Sequence, residues 1–229
     1  MDYSDQSDVL LARSEFTAVR DLRGHEVAFD GVQTFSHLFV LDALARGGLT
    51  EPAVTFRDLP AMQVPAEVLA GRLAAGHTWG PLAATAVAHG CHVLAKAGDD
   101  PGVITEVLVV RTETLARHHR QLREMMGVIW ASVDRTRADE SGAIAAAADI
   151  LKKKSESLDA ITGNVHLWNQ AESLARMSGD AQTSIPMRLA LIVEQFRKRG
   201  QLPPDFSGST DFAVGILISE PCPIRHRRT

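Results

Sequence analysis

Apolar residues in this chain recur mostly at helical spacing. From Val32 to Arg46, Val32, Phe35, Leu38, Phe39, Leu41 and Leu44 fall on one face, and Gly47-Gly48 supply a stop. The pattern predicts a buried helix there. A longer helix is predicted from Asp100 to Val133. Its stripe is Ile104, Leu108, Leu115, Leu122, Ile129 and Val133, and Asp100 and Pro101 suit its cap and first turn. The run Val107 to Val110 is rich enough in β-branched residues to begin as a strand instead. Further helices are expected over 65–75, 81–97, 142–162, 164–177 and 183–199, each opened by Pro, Asn or Thr or closed near a glycine.

Strand signals are sparse. Residues 24–31 alternate briefly and end in Asp-Gly, which predicts a short strand and a turn. Residues 213–219, AVGILIS, read as a strand or an extended segment. Residues 50–64 read as a proline-containing connector, 77–80 as a turn, and 134–141 as a polar break. The expected fold is mainly α: a bundle of about seven helices, in one body or in two lobes meeting near residue 100. Residues 1–30 read as an N-terminal arm, 31–200 as the helical core, and 201–229 as an extended segment with a basic tail.

Composition narrows the chemistry. Apolar residues make up 45% of the chain but aromatics only 5%, so the core must be largely aliphatic. A net charge of −4 argues against polyanion binding over the whole surface, and 19 arginines against 5 lysines favour localised, bidentate anion contacts. Two distant cysteines, Cys91 and Cys222, form no disulfide framework and no thiolate zinc site, which fits a reducing compartment and no metal or cofactor. The acidic start MDYSDQSD is unlike a targeting peptide, and no apolar run is long enough for a bilayer. A cytoplasmic or virion location, away from any membrane, is therefore expected.

The candidate chemistry lies on the long central helix. Arg111 and His118 fall on its apolar stripe, where a charge needs a partner, and Arg117, His119, Arg120 and Arg123 lie beside it. Lys152, Lys153 and Lys154 add a second basic region. The bland reading is a solvated face, with Glu113 and Glu124 spaced to pair with Arg117 and Arg120. The sharper reading is a phosphate track with a histidine available to stack on a base. His89 and His92 lie three apart on a predicted helix, but a third metal ligand is missing and Gly90 excludes an HExxH motif. Phosphate-cradling loops and a G-x-S-x-G elbow are absent from the sequence.

These residues point to a self-assembling RNA-coating protein of viral coat or nucleocapsid character, not an enzyme. It would grip single-stranded RNA through Arg111, Arg117, His118, Arg120, Arg123 and Lys152 to Lys154, and meet copies of itself through its arms. Two other readings stand beside it. One is a small-molecule enzyme or binding protein with a cleft lined by His89, His92, His118 and His119. The other is a protein–protein adaptor.

Overall fold

The computed structural model describes residues 2–152, 165–177, 184–203 and 206. It divides into two compact units. A sheet unit holds Tyr3–Thr105 and Glu156–His166; a helical unit holds Met1–Asp2, Glu106–Ser155 and Leu167–Thr229.

The sheet unit corrects the all-helical expectation. Its five strands are β2 (Asp8–Ala12), β3 (Glu26–Phe29), β4 (Thr55–Asp58), β5 (Ala75–Trp79) and β6 (His92–Lys96), in the spatial order β4-β3-β5-β2-β6. Strands β4, β3 and β5 are mutually parallel, and β2 runs antiparallel to both β5 and β6. Helix α1 (Phe35–Arg46) lies between β3 and β4, α2 (Val64–Leu69) between β4 and β5, and α3 (Gly80–Ala88) between β5 and β6. The fold is therefore α/β with helices on both faces of the sheet, and residues 2–29, expected as an irregular arm, contain two of its strands.

Strand β2, DVLLA, explains how this arises. Every residue in it is buried. Successive side chains point to opposite faces, so Leu10 enters one core with Phe39, Val40 and Leu44 of α1, and Leu11 enters the other with Val64 and Val68 of α2 and Ala86 of α3. A strand covered on both faces has no polar alternation, so its sequence carries no period-2 signal. Gly76 in β5 lies where a Cβ would come within 2.9 Å of Val64 Cγ1 and 3.0 Å of Ala28 Cβ, so only glycine lets α2 close on the sheet.

A second sheet, in the order β7-β1-β8, is made of the short strands β1 (Asp2–Ser4), β7 (Thr105–Glu106) and β8 (Val165–Leu167). Within the sheet unit, Ser4 N–H donates to Ile104 O at 3.2 Å, and the Tyr3 and His166 rings stack at 5.1 Å.

The helical unit contains α4 (Thr112–Ala138), α5 (Glu140–Leu151), α6 (Gln170–Met177) and α7 (Ile185–Lys198) among the described residues. Its core is small. Met126 and Trp130 are buried against Met177, and Trp130 Nε1–H donates to Ser173 Oγ at 3.2 Å. Asn169 and Glu172 cap α6 reciprocally: Glu172 N–H donates to Asn169 Oδ1, and Asn169 N–H to Glu172 Oε2. Arg137 ties this cap to α4 through Glu172, at 2.7 Å, and through the Leu167 carbonyl. No helix among the described residues is long and apolar enough to cross a membrane.

Candidate ligand-binding pole of the sheet unit

Parallel pairing sends the carboxyl ends of β3, β4 and β5 to one pole of the sheet. The amino end of β2 arrives there too, because Asp8 pairs with Trp79. Ligands of open α/β sheets bind outside such carboxyl ends, where loops from different strands converge. Here the loops are 30–34, 59–63 and the junction between Trp79 and Gly80.

The loop after β3 is tightly built. Gln33 adopts a left-handed φ of 64°, its N–H donates to His37 Nδ1 at 3.2 Å, and Thr34 caps α1 by accepting from His37 N–H. Thr34 Oγ1 in turn donates to the Asp30 carbonyl at 2.6 Å, and Asp30 N–H to the buried Ser36 hydroxyl at 2.8 Å. The side chains of two aspartates join the loops. Asp30 Oδ2 accepts from Ala61 N–H and Asp58 Oδ1 from Gly31 N–H, each at 3.0 Å. Beneath the loops, Thr78 Oγ1 donates to the Ala61 carbonyl at 2.9 Å. Phe35 and Met62 stand exposed at this end of the sheet.

Under Phe35 lies a buried polar pair. His77 is wholly buried, and its Nε2 meets Asp8 Oδ1 at 2.8 Å. The His77 ring is flanked by Phe35, Phe39 and Trp79 at centroid distances of 5.7, 5.4 and 6.1 Å. Asp8 N–H donates to Ser4 Oγ, which fixes the backbone at the carboxylate.

The residues singled out from the sequence belong to other elements. Arg111 is exposed at the N-cap of α4 and not on a buried stripe, because the helix begins only after it. His118 is exposed and breaks the helix, with φ −125° and ψ 22°. Arg117 and Arg120 are exposed, Arg120 lies 3.9 Å from Glu124, and Arg123 is half-buried. Lys152 is on α5's C-cap in a left-handed conformation, 3.5 Å from Asp149; Lys153 and Lys154 lie outside the described residues. His89 and His92 do not share a helical face. Gly90, at φ 95°, ends α3 between them, and His89 Nδ1 meets Thr85 O while His92 Nδ1 meets Phe16 O. No group of three metal-ligating side chains occurs among the described residues. Asp8, His77 and Trp79 were not singled out. The sequence offered only a histidine two residues before Trp-Gly-Pro, within a stretch that reads as a turn.

Comparison with known proteins places this architecture. The chain superposes on the periplasmic aliphatic sulphonate binding protein SsuA from Escherichia coli with a TM-score of 0.65 at 18% identity, covering 88% of this chain and 65% of that one. On the alkanesulfonate-binding protein SsuA from Xanthomonas axonopodis pv. citri, bound to MOPS, the TM-score is 0.61 at 17% identity, with 89% and 69% covered. On the desulfurization enzyme DszB it is 0.52 at 14% identity, with 96% and 73% covered. No family model matches the sequence, and no curated protein does. The likeness shows the fold, an α/β fold of the periplasmic-binding-protein kind, over about two thirds of the first structure's length.

That fold overturns the RNA-coating reading, and with it single-stranded RNA and copies of the chain as partners. The arginines that suggested a phosphate track lie along an exposed helix whose charges are partly paired with its own carboxylates. The structural neighbours favour the small-molecule alternative, although its histidine-lined cleft is not the feature the sheet unit presents.

Proposed function

We propose that the chain is a small-molecule-binding protein and that its sheet unit meets the ligand at the carboxyl pole. One observation carries this reading: three parallel strands end at a single pole, where rigidly bonded loops surround an exposed Phe35 and the half-buried Trp79. Fixed loops and an apolar surface are what a preformed small-molecule site needs. The solute-binding neighbours share the architecture.

Binding without turnover is the favoured form. DszB shows that the fold also carries an enzyme. In this chain, however, the pole's buried Ser36 hydroxyl is engaged by Asp30 N–H, and Cys91 immediately precedes β6, at the opposite end of the sheet. Neither is placed as an activated nucleophile.

Calorimetry against a panel of small organic anions, amines and neutral solutes tests the reading. At least one solute should bind stoichiometrically, and Phe35→Ala should weaken it tenfold or more without changing the circular dichroism. Arg13→Ala, at the opposite pole, should leave the affinity unchanged. Equal affinity in the wild type and Phe35→Ala would remove the pole from the ligand site.

A further inference from the structure

Three backbone hydrogen-bond donors of this pole are committed. Gly31 N–H is spent on Asp58, Ala61 N–H on Asp30, and Gly80 N–H on the Ser7 carbonyl at 2.9 Å. At the start of α1, His37 N–H is taken by the Thr34 hydroxyl. None of residues 30–36, 58–63 and 79–82 is lysine or arginine. Of the adjacent cations, Arg57 pairs with Glu26 and Glu67, and Lys96 Nζ donates to the Gln6 amide oxygen.

What remains is negative and aromatic. The Asp8 side chain keeps 12% of its exposure at the pole, and Asp30 and Asp58 lie on the neighbouring loops. In the tautomer that donates Nε2–H to Asp8, the His77 ring carries a lone pair on Nδ1. That Nδ1 is buried and has no hydrogen-bond partner, in a ring flanked by Phe35 and Trp79. Buried acceptors are normally satisfied, and this one lies next to the surface assigned to the ligand.

Resting on the reading of this pole as the ligand surface, we propose that the ligand is an organic ammonium ion with a flat apolar body. Asp8 and its neighbouring carboxylates balance the charge. Phe35 and Trp79 offer ring faces that attract a cation, and His77 Nδ1 accepts an N–H once the Phe35 ring swings aside. The same features disfavour a sulfonate, which brings negative charge to a surface that already carries Asp8, Asp30 and Asp58.

The test is calorimetry on the full chain at low ionic strength with a matched pair of probes, benzylamine and benzenesulfonate. Benzylamine should bind at least tenfold more tightly, and added salt should weaken it. Asp8→Asn keeps an oxygen for His77 and should lower benzylamine affinity tenfold or more while leaving benzenesulfonate unchanged or stronger. Asp58→Asn, at an exposed position, should move both affinities in the same directions by a smaller factor, and serves if Asp8→Asn fails to fold. Tighter binding of benzenesulfonate, or benzylamine affinity unchanged in both aspartate variants, overturns the ammonium assignment. If Phe35→Ala still weakens the bound probe, the pole itself stands. No binding of either probe, or of any panel solute, counts against both proposals.

Discussion

Burial holds the Cys91 thiol in its protonated form, pushing it above its ordinary value of 9.0. In a Cys222→Ser background, Ellman's reagent at pH 8 is expected to react with folded protein at least tenfold more slowly than with unfolded protein. The sign for stability follows. The folded thiol keeps a proton that the unfolded chain loses above 9.0, so stability is undiminished below that pH and falls as pH rises beyond it. A second residue-scale test is Gly76→Ala. Its Cβ would stand 2.9 Å from Val64 Cγ1 and 3.0 Å from Ala28 Cβ, both deep in the core. A denaturant titration should show a loss of about 1–3 kcal/mol from overpacking. A loss under about 0.5 kcal/mol would mean that α2 is free to retreat from the sheet.

At the scale of elements, helices were the legible part of the sequence. Helix α1 was expected at 32–46 and runs Phe35–Arg46, because its apolar face and Gly47 are both local signals. Of the strands only β3 was legible: a short strand was expected within 24–31, and β3 runs Glu26–Phe29. Strand β5 was divided between a helix and a turn, since RLAAGHTW offers neither alternation nor a β-branched run. Strand β6 was absorbed into the preceding helix, because Gly90 was not recognised as the end of α3. Helix α4 begins at Thr112, twelve residues later than its expected cap, and its buried face is Met126, Trp130 and Val133, not Leu108 and Ile129. It also runs through most of the expected polar break to Ala138. Asn169, and not Asn164, occupies the capping position of α6; Asn164 lies outside the described residues. Caps can be tested directly. Thr34→Ala removes the oxygen that receives His37 N–H and that bonds Asp30 O, so it should cost about 1 kcal/mol. In the helical unit, Ser173→Ala leaves Trp130 Nε1–H buried without its acceptor and should cost about 1–3 kcal/mol, read from the shift in denaturation midpoint.

At the scale of the whole molecule, the site escaped sequence analysis because it is a product of topology. Asp8 and His77 are 69 residues apart and meet only because β2 pairs with β5. The charged stretch on α4, by contrast, is contiguous in sequence and therefore conspicuous, yet its arginines remain largely at the surface. The two units also differ in how much core they build. The sheet unit buries both faces of β2 under helices, with Leu10, Leu11, Val27, Ala28, Phe39, Val40 and Leu44 almost wholly enclosed. The described core of the helical unit centres on Met126 and Trp130, while Val128 on α4 and Ile150 on α5 keep 67% and 77% of their exposure. Local opening is governed by such differences in buried apolar contact. Hydrogen exchange read by mass spectrometry should therefore rank the units. Peptides covering β2, β3 and β5 are expected to exchange at least a hundredfold more slowly than those covering α5 and α7. Because the units carry separate cores, Trp130→Ala should speed exchange in α4 and α6 while leaving β2 and β5 at wild-type rates. Equal acceleration across both sets of peptides would mean that the chain opens as one cooperative body, and the division into units would then have no counterpart in stability.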